Sequence, residues 1–227
     1  LPENRIMSYL PLAHVFERAW VECASLIDGN TRVYFAETLD TFLADLNRAR
    51  PTTFISVPRL WLKFQQGLFT KMPPKKLDRL LSIPILGRIV GRKVLKGLGL
   101  DQALLAGSGS APIPADLIAW YRRLGLNLIE GYAMTEDFAY SHNSTEAINE
   151  PGCVGVPLAG VKVRISDEGE ILIKSPGAMT GYYKRPDLTA KVIDRDGWFN
   201  TGDLGMLSLD REIRITGRAK DTIVLRG

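Results

Sequence analysis

Up to about residue 130 the sequence alternates between two hydrophobic periods, and no other feature restricts its fold as strongly. Phe16, Ala19, Trp20, Cys23 and Ile27 recur at helical spacing until Gly29 stops the run. Residues 32–36 (RVYFA) then read as a strand. Leu39, Phe42, Leu43 and Leu46 make a second helical stripe, with Thr38 placed to cap it and Pro51 beyond its end. Residues 53–57 (TFISV) are a short apolar run rich in β-branched side chains, as in a buried parallel strand, and a helix is expected over 59–69. The alternation resumes with 103–106 (ALLA). A helix then starts near Pro114, sets Leu117, Ile118, Tyr121 and Leu124 on one face and stops at Gly125; a strand follows over 126–130. Repeated strand–helix units bury both kinds of apolar face when helices cover a mainly parallel sheet. The expected fold class is therefore α/β.

Two stretches depart from this rhythm. Residues 71–99 contain Pro73, Pro74 and scattered glycines, which read as an inserted, partly helical surface excursion. Eight cations (Lys71, Lys75, Lys76, Arg79, Arg88, Arg92, Lys93, Lys96) stand there against Asp78, although the whole chain carries only +4. Such a run is ordinarily a solvated face. It can also meet anionic lipid headgroups, giving peripheral membrane contact through residues 71–96, or a phosphate-bearing ligand. No nucleic-acid motif accompanies it, so no nucleic-acid partner is expected.

After Pro151 the period becomes two. Val161, Val163 and Ile165 alternate with Lys162 and Arg164, a turn follows at 167–169, and 170–174 (EILIK) pairs back. Residues 206–209 and 212–216 suggest a second pair around Asp210 and Arg211. The reading divides the chain into an α/β subdomain (1–150), a small antiparallel β-barrel-like subdomain (151–217) and the start of a further element (218–227). No apolar run reaches the roughly 18 residues of a membrane span. The first residues lack the order of a signal peptide, and Cys23 and Cys153 have no metal-ligand spacing. Both cysteines read as packing residues in a reducing, cytoplasmic setting, with at most a peripheral place on the inner membrane face.

Four clusters carry chemistry. Residues 106–112 (AGSGSAP) lie beyond a strand and before a helix, where open parallel sheets bind ligands and small side chains admit a flat ring. Alone, this is equally a simple turn. In 130–136 (EGYAMTE), Tyr132 offers an aromatic face to a base, Thr135 a hydroxyl to a phosphate oxygen, and Glu136 a hard oxygen to Mg2+; a strand end leading into a capped helix has the same sequence. In 197–204 (GWFNTGDL), Asp203 is placed to accept hydrogen bonds from a ribose diol, and in 217–221 (GRAKD) Arg218 can grip ribose or phosphate oxygens. Polar turns would account for either.

In this order the four clusters resemble the acyl-adenylate-forming (AMP-binding) superfamily, specifically its long-chain fatty acyl-CoA synthetase branch. Residues 10–17 (LPLAHVFE) are similar to that branch's segment near the acyl pocket, and 130–136 to its Y-G-x-T-E motif. Residues 155–157, 169–171, 181–183 and 198–204 match its G-x-P, G-E-L, G-Y and W-F-x-T-G-D-L signatures, and 217–221 its G-R-x-K-D hinge.

The resemblance implies a ligase using ATP, Mg2+ and CoA on a fatty acid. Ser110, Ala111 and Pro112 would line the adenine and Tyr132 would stack on it, with Glu130 and Gly131 in the same nucleotide-binding strand end. Thr135 and Glu136 would act on the phosphates, Glu136 holding the metal. Asp203 and Arg218 would take the ribose, Lys220 would be the hinge, and His14 and Phe16 would lie near the acyl group.

No Ser/Thr/Gly-rich phosphate loop ending in lysine precedes residue 10, and about seven residues follow Lys220. The chain therefore reads as a fragment, inactive alone, of the family's large domain. Ala133 replaces a usual glycine, Asp137 stands where a small hydroxyl residue is usual, and Phe16-Glu17-Arg18 offers no tryptophan gate. Asp137 adds negative charge beside the metal carboxylate, which either strengthens Mg2+ binding or weakens triphosphate affinity. Two other readings stay open: a superfamily member with another acceptor, such as an acyl-carrier protein or a luciferase-like oxidation, and a non-catalytic nucleotide- or lipid-surface-binding module.

Overall fold

The structure is a computed structural model that describes residues 3–145, 147, 150–208 and 212–219. It divides into two compact units, Leu1–Ile129 and Glu130–Gly227. The division precedes the change of period at Pro151, because the chain already runs in antiparallel ladders from residue 142.

In the first unit the strands are β1 (Asn4–Ser8), β2 (Thr31–Phe35), β3 (Thr53–Ser56) and β4 (Leu105–Ser108). They are ordered β2-β1-β3-β4 and are parallel throughout, as the strand–helix alternation requires. Between them lie α1 (Ala24–Asp28), α2 (Phe42–Ala49), α3 (Pro58–Lys71), α4 (Pro74–Leu81) and α5 (Pro84–Gly97); α6 (Ala115–Arg123) follows β4. Phe54, Trp61, Leu77, Leu95, Leu117 and Tyr121 belong to one continuous core. Trp61 Nε1–H donates to the Gly107 carbonyl at 3.2 Å, and the Tyr121 hydroxyl donates to the Trp61 carbonyl at 2.7 Å. These two bonds tie α3 and α6 to β4, and so fix the loop that carries Ser110.

Several details differ from the sequence reading. The first helical stretch opens as a π-helix, Glu17–Cys23, before α1. Its i→i+5 turns rotate later residues away from α spacing, so Glu17 and Val21 are buried while Ile27 is 86% exposed. Helix α2 starts late because Thr38 and Thr41 first close a turn on each other, Thr41 N–H donating to Thr38 Oγ1 at 3.1 Å. Leu39 is thereby left in solvent. Strand β4 lies two residues beyond the ALLA reading.

The largest correction concerns residues 71–99, which are a packed pair of helices rather than an excursion. Pro74 and Pro84 sit in the first turns of α4 and α5, where a missing N–H costs nothing, so they start helices instead of breaking them. Gly87, Gly91 and Gly99 are contact residues, whereas a Cβ on Gly97 would meet no described atom within 4 Å. A Cβ on Gly91 would lie 2.5 Å from the Leu124 carbonyl oxygen.

In the second unit, β5 (Leu128–Tyr132), which begins before the division, pairs antiparallel with β6 (His142–Asn143), and β6 with β7 (Val156–Pro157). Strands β8 (Lys162–Ile165), β9 (Glu170–Lys174), β10 (Phe199–Leu207) and β11 (Ile213–Arg218) form the antiparallel barrel-like sheet, ordered β11-β10-β9-β8. Register shifts in β10 bend this sheet. Helix α7 (Pro186–Val192) intervenes, and residues 209–211, read as a turn, lie outside the described residues. Tyr132, Val154, Ile171, Ile173, Phe199 and Ile213 form this unit's core.

Two glycines test the packing of the first unit. Gly67, exposed in the middle of α3 with nothing near its missing side chain, should gain about 0.5–1 kcal/mol on Gly67→Ala. Gly91→Ala should lose about 1–3 kcal/mol through overpacking against the backbone. Urea denaturation of both variants measures the two signs; a neutral Gly91→Ala would contradict the tight crossing.

Candidate nucleotide site

Three side chains expected at a nucleotide meet in the second unit. Asp203 on β10 and Arg218 on β11 are register partners. Arg218 Nε–H donates to Asp203 Oδ1 at 2.9 Å, while the Tyr132 hydroxyl, from the end of β5, donates to Asp203 Oδ2 at 2.7 Å. Burial, with the Asp203 carboxylate adding to it, pushes the Tyr132 phenol far above its ordinary pKa, so it remains a donor at physiological pH. Asp203 is 6% exposed and the Arg218 side chain 69%. Each carboxylate oxygen has two acceptor directions. The two described donors, one on each oxygen, therefore leave geometric capacity for others such as the two hydroxyls of a ribose.

Tyr132 itself is almost wholly buried, 6.0 Å between ring centroids from His142. It presents little open ring face, and its hydrogen bond makes it a positioning residue for Asp203. His142 was not singled out in the sequence, since a histidine in a two-residue strand carries no spacing signal. Burial lowers its pKa to about 4, leaving a neutral imidazole; Nδ1 lies 2.7 Å from Ser141 Oγ, and the buried Nε2 has no hydrogen-bond partner among the described residues.

Thr135, Glu136 and Asp137 form one 3-10 turn after β5. Thr135 is exposed and Glu136 half-buried. Glu136 Oε1 accepts a hydrogen bond from the Tyr182 hydroxyl at 2.9 Å, and its backbone carbonyl accepts one from Met179 N–H at 2.7 Å. Tyr182, seen in the sequence only as part of a G-Y signature, is thus the partner that orients Glu136. A single partly exposed carboxylate beside an exposed hydroxyl fits Mg2+, which takes one or two carboxylates and completes its shell with water and substrate phosphates.

Asp137 is not a surface charge beside that carboxylate. It is 1% exposed, and its Oδ1 accepts from Met134 N–H at 3.0 Å and Tyr140 N–H at 3.3 Å, stapling the turn. The stapled chain holds Phe138 and Ala139 at φ of 56° and 57°. Burial raises the Asp137 pKa to about 6, and its Oδ2 lies buried without a hydrogen-bond partner among the described residues.

The remaining expected residues stand elsewhere. Glu130 is buried, with Oε2 accepting from Gly152 N–H at 2.9 Å, so it anchors a turn. Gly131 faces Asn143 across the β5–β6 ladder, where a Cβ would lie 3.2 Å from Asn143 Oδ1. Ser110, Ala111 and Pro112 belong to the first unit, exposed at the tip of β4, and Ser110 holds the left-handed φ of 66° that favours glycine. His14 and Phe16, also in the first unit, precede the π-helix; His14 Nδ1 accepts from Phe16 N–H at 3.3 Å. That segment is pinned by the fully buried Glu17, which accepts from Ser8 Oγ–H and from Leu10 N–H. Lys220 lies outside the described residues.

One carboxylate–thiol group was not foreseen: donor atoms of Glu150, Cys153 and Glu212 lie within 4.8 Å of one another. Arg214 already pairs with Glu150 there at 2.8 Å.

Comparison with known proteins gives three kinds of match. The AMP-binding enzyme family matches residues 1–183. A putative fatty-acid–CoA ligase, fadD11 of Mycobacterium tuberculosis, is 30% identical over 97% of this chain; the chain spans 44% of that protein. Among solved structures, ATP-bound MatB from Rhodopseudomonas palustris is 26% identical with a TM-score of 0.73, covering 98% of this chain and 42% of its own. The A domain of carboxylic acid reductase from Segniliparus rugosus, in complex with AMP and a co-purified carboxylic acid, is 29% identical with a TM-score of 0.74 over 98% of this chain and 36% of its own.

Asp137 supplies a pH test. Its folded pKa of about 6 exceeds the ordinary 3.8, so the folded state holds the proton more tightly. That contribution is full below pH 4 and is lost as pH rises through 6. In urea melts, the stability of the native chain relative to Asp137→Asn should therefore fall between pH 4 and pH 6.5; a difference that grows over this window would contradict the burial argument.

Proposed function

We propose that this chain, which belongs to the AMP-binding enzyme family, forms the base- and ribose-binding part of an AMP-forming fatty acyl-CoA synthetase. The reaction is activation of a fatty acid with ATP to acyl-AMP and pyrophosphate, then attack of the CoA thiol on the acyl carbon, which forms the thioester and releases AMP and a proton. The observation that carries the reading is the Asp203 carboxylate held between Tyr132 and Arg218. Support for the fatty acid comes from the fatty-acid–CoA ligase relative, and support for the nucleotide from the ATP- and AMP-bound structures of this fold.

Each residue then has a task. Asp203 and Arg218 bind the ribose hydroxyls. Tyr132 sets the Asp203 carboxylate and lends what ring edge it exposes to the adenine, with Ser110, Ala111 and Pro112 assigned to the same base. Thr135 donates to a phosphate oxygen. Glu136, oriented by Tyr182, holds Mg2+, which when bound neutralises charge building on the phosphoryl oxygens. His14 and Phe16 are assigned to the acyl chain and Lys220 to the hinge. Acyl-AMP is a mixed anhydride that water destroys, so the acyl pocket must exclude solvent between the half-reactions.

The test is pyrophosphate release from ATP by the protein that contains this chain, given long-chain fatty acid with CoA or with acyl-carrier protein. CoA-dependent turnover is expected; turnover with carrier protein alone would move the protein to another branch of the family. The 227 residues by themselves should form no acyl-CoA. Tyr182→Phe should raise the Mg2+ needed for half-maximal rate by about tenfold, since partners of a metal ligand typically matter on that scale. Mg2+ dependence unchanged in both Tyr182→Phe and Glu136→Gln would remove the metal from Glu136.

A further inference from the structure

The helical pair α4–α5 has an outer face that the nucleotide reading does not use. Helix α5 turns Gly87, Gly91 and Leu95 inward. At 100° per residue, Ile85, Ile89, Arg92 and Lys96 fall along the opposite, solvent side. Ile85 is 77% exposed and Ile89 61%; Ile83, in the connection to α4, is 50% exposed. Isoleucines this open are unusual on a face whose other members are charged. Arg88, Arg92, Lys93 and Lys96 are exposed around and beyond them. On α4, Lys75, Lys76 and Arg79 line an open concavity with Pro73 and Leu80.

The charge on this face is not balanced locally. Its acid, Asp78, is taken by Arg123 at 2.9 Å. Outside residues 71–96 the chain is net acidic, so the positive field is concentrated here. A solvated face mixes signs and lacks open isoleucines; this one joins apolar side chains to cations on both flanks. No helix among the described residues is long and apolar enough to cross a membrane. An element with this pattern lies on a bilayer, with its apolar residues at the headgroup–acyl boundary and its cations among lipid phosphates.

We propose that the outer face of α4–α5 is a docking surface for an anionic lipid bilayer, with Ile83, Ile85 and Ile89 entering the interface and the Lys75–Lys76–Arg79 concavity receiving a lipid phosphate. This rests on α4–α5 alone and stands or falls separately from the ligase reading. A second exposed apolar group, Leu26, Ile27, Phe35 and Leu39, has Asp28, Glu37 and Asp40 nearby in sequence and serves as the control.

The experiment is co-sedimentation of the chain with phosphatidylcholine vesicles, with and without phosphatidylglycerol, at low and high salt. Binding is expected only with phosphatidylglycerol and should weaken with salt. Each cation near the surface contributes about fivefold, so Lys75→Gln, Lys76→Gln and Arg79→Gln together should cost about a hundredfold. Ile85→Ser with Ile89→Ser should also reduce binding, whereas Ile27→Ser with Phe35→Ser should not. All these positions are exposed, and thermal melts check that the variants fold. Equal binding to both vesicle types, no binding to either, or binding indifferent to the two isoleucines would overturn the proposal. Retention on RNA without sedimentation on vesicles would make the partner nucleic acid and overturn it as well.

Discussion

A carboxylate shielded from water persists as a charge only where donors meet it, and Asp203 is met from two other strands. The pairing of β10 with β11 sets Arg218 opposite Asp203, and β5 brings the Tyr132 hydroxyl to the second oxygen. Because Tyr132 is also a member of this unit's core, the orientation of the carboxylate is coupled to packing. The site is therefore preformed by the strands that carry it. Glu136 repeats the arrangement on a smaller scale: Tyr182 orients it, while the buried Asp137 staples the turn that presents it.

The fold class was legible because the two periods of the sequence differ in what they can bury. A run such as residues 53–57 suits a covered parallel sheet, and β3 pairs parallel with β4, burying Phe54 and Ser56 on one face and half-burying Thr53 and Ile55 on the other. Residues 162–165 alternate and pair antiparallel with β9. What sequence could not supply was the sense of its punctuation. Pro74, Pro84, Gly87 and Gly91 look like breakers when read alone, yet two begin helices and two admit a crossing backbone. Only the partner distinguishes these uses, and a partner such as Leu124 is distant in sequence.

The same limit applies to the site. Motif order placed Asp203, Arg218, Tyr132 and Glu136 in one functional group, and the structure joins the first three by hydrogen bonds. It did not disclose that Tyr132 would be spent on holding Asp203, that Tyr182 would orient Glu136, or that Glu130 would anchor Gly152. Asp137 reads in sequence as an added charge, whereas burial makes it a staple with a raised pKa. Burial and partner identity are tertiary properties. Residue type alone cannot report them.

The ribose role proposed for Asp203, set by Tyr132 and Arg218, makes the diol the group that is recognised. Calorimetric titration of the chain with AMP and with 2′,3′-dideoxy-AMP tests it most directly. Hydrogen bonds to a charged group are worth about 1.5–3 kcal/mol, so AMP should bind at least about tenfold more tightly. Asp203→Asn should erase most of that preference. Equal affinity for the two nucleotides, or a preference that survives Asp203→Asn, would contradict it.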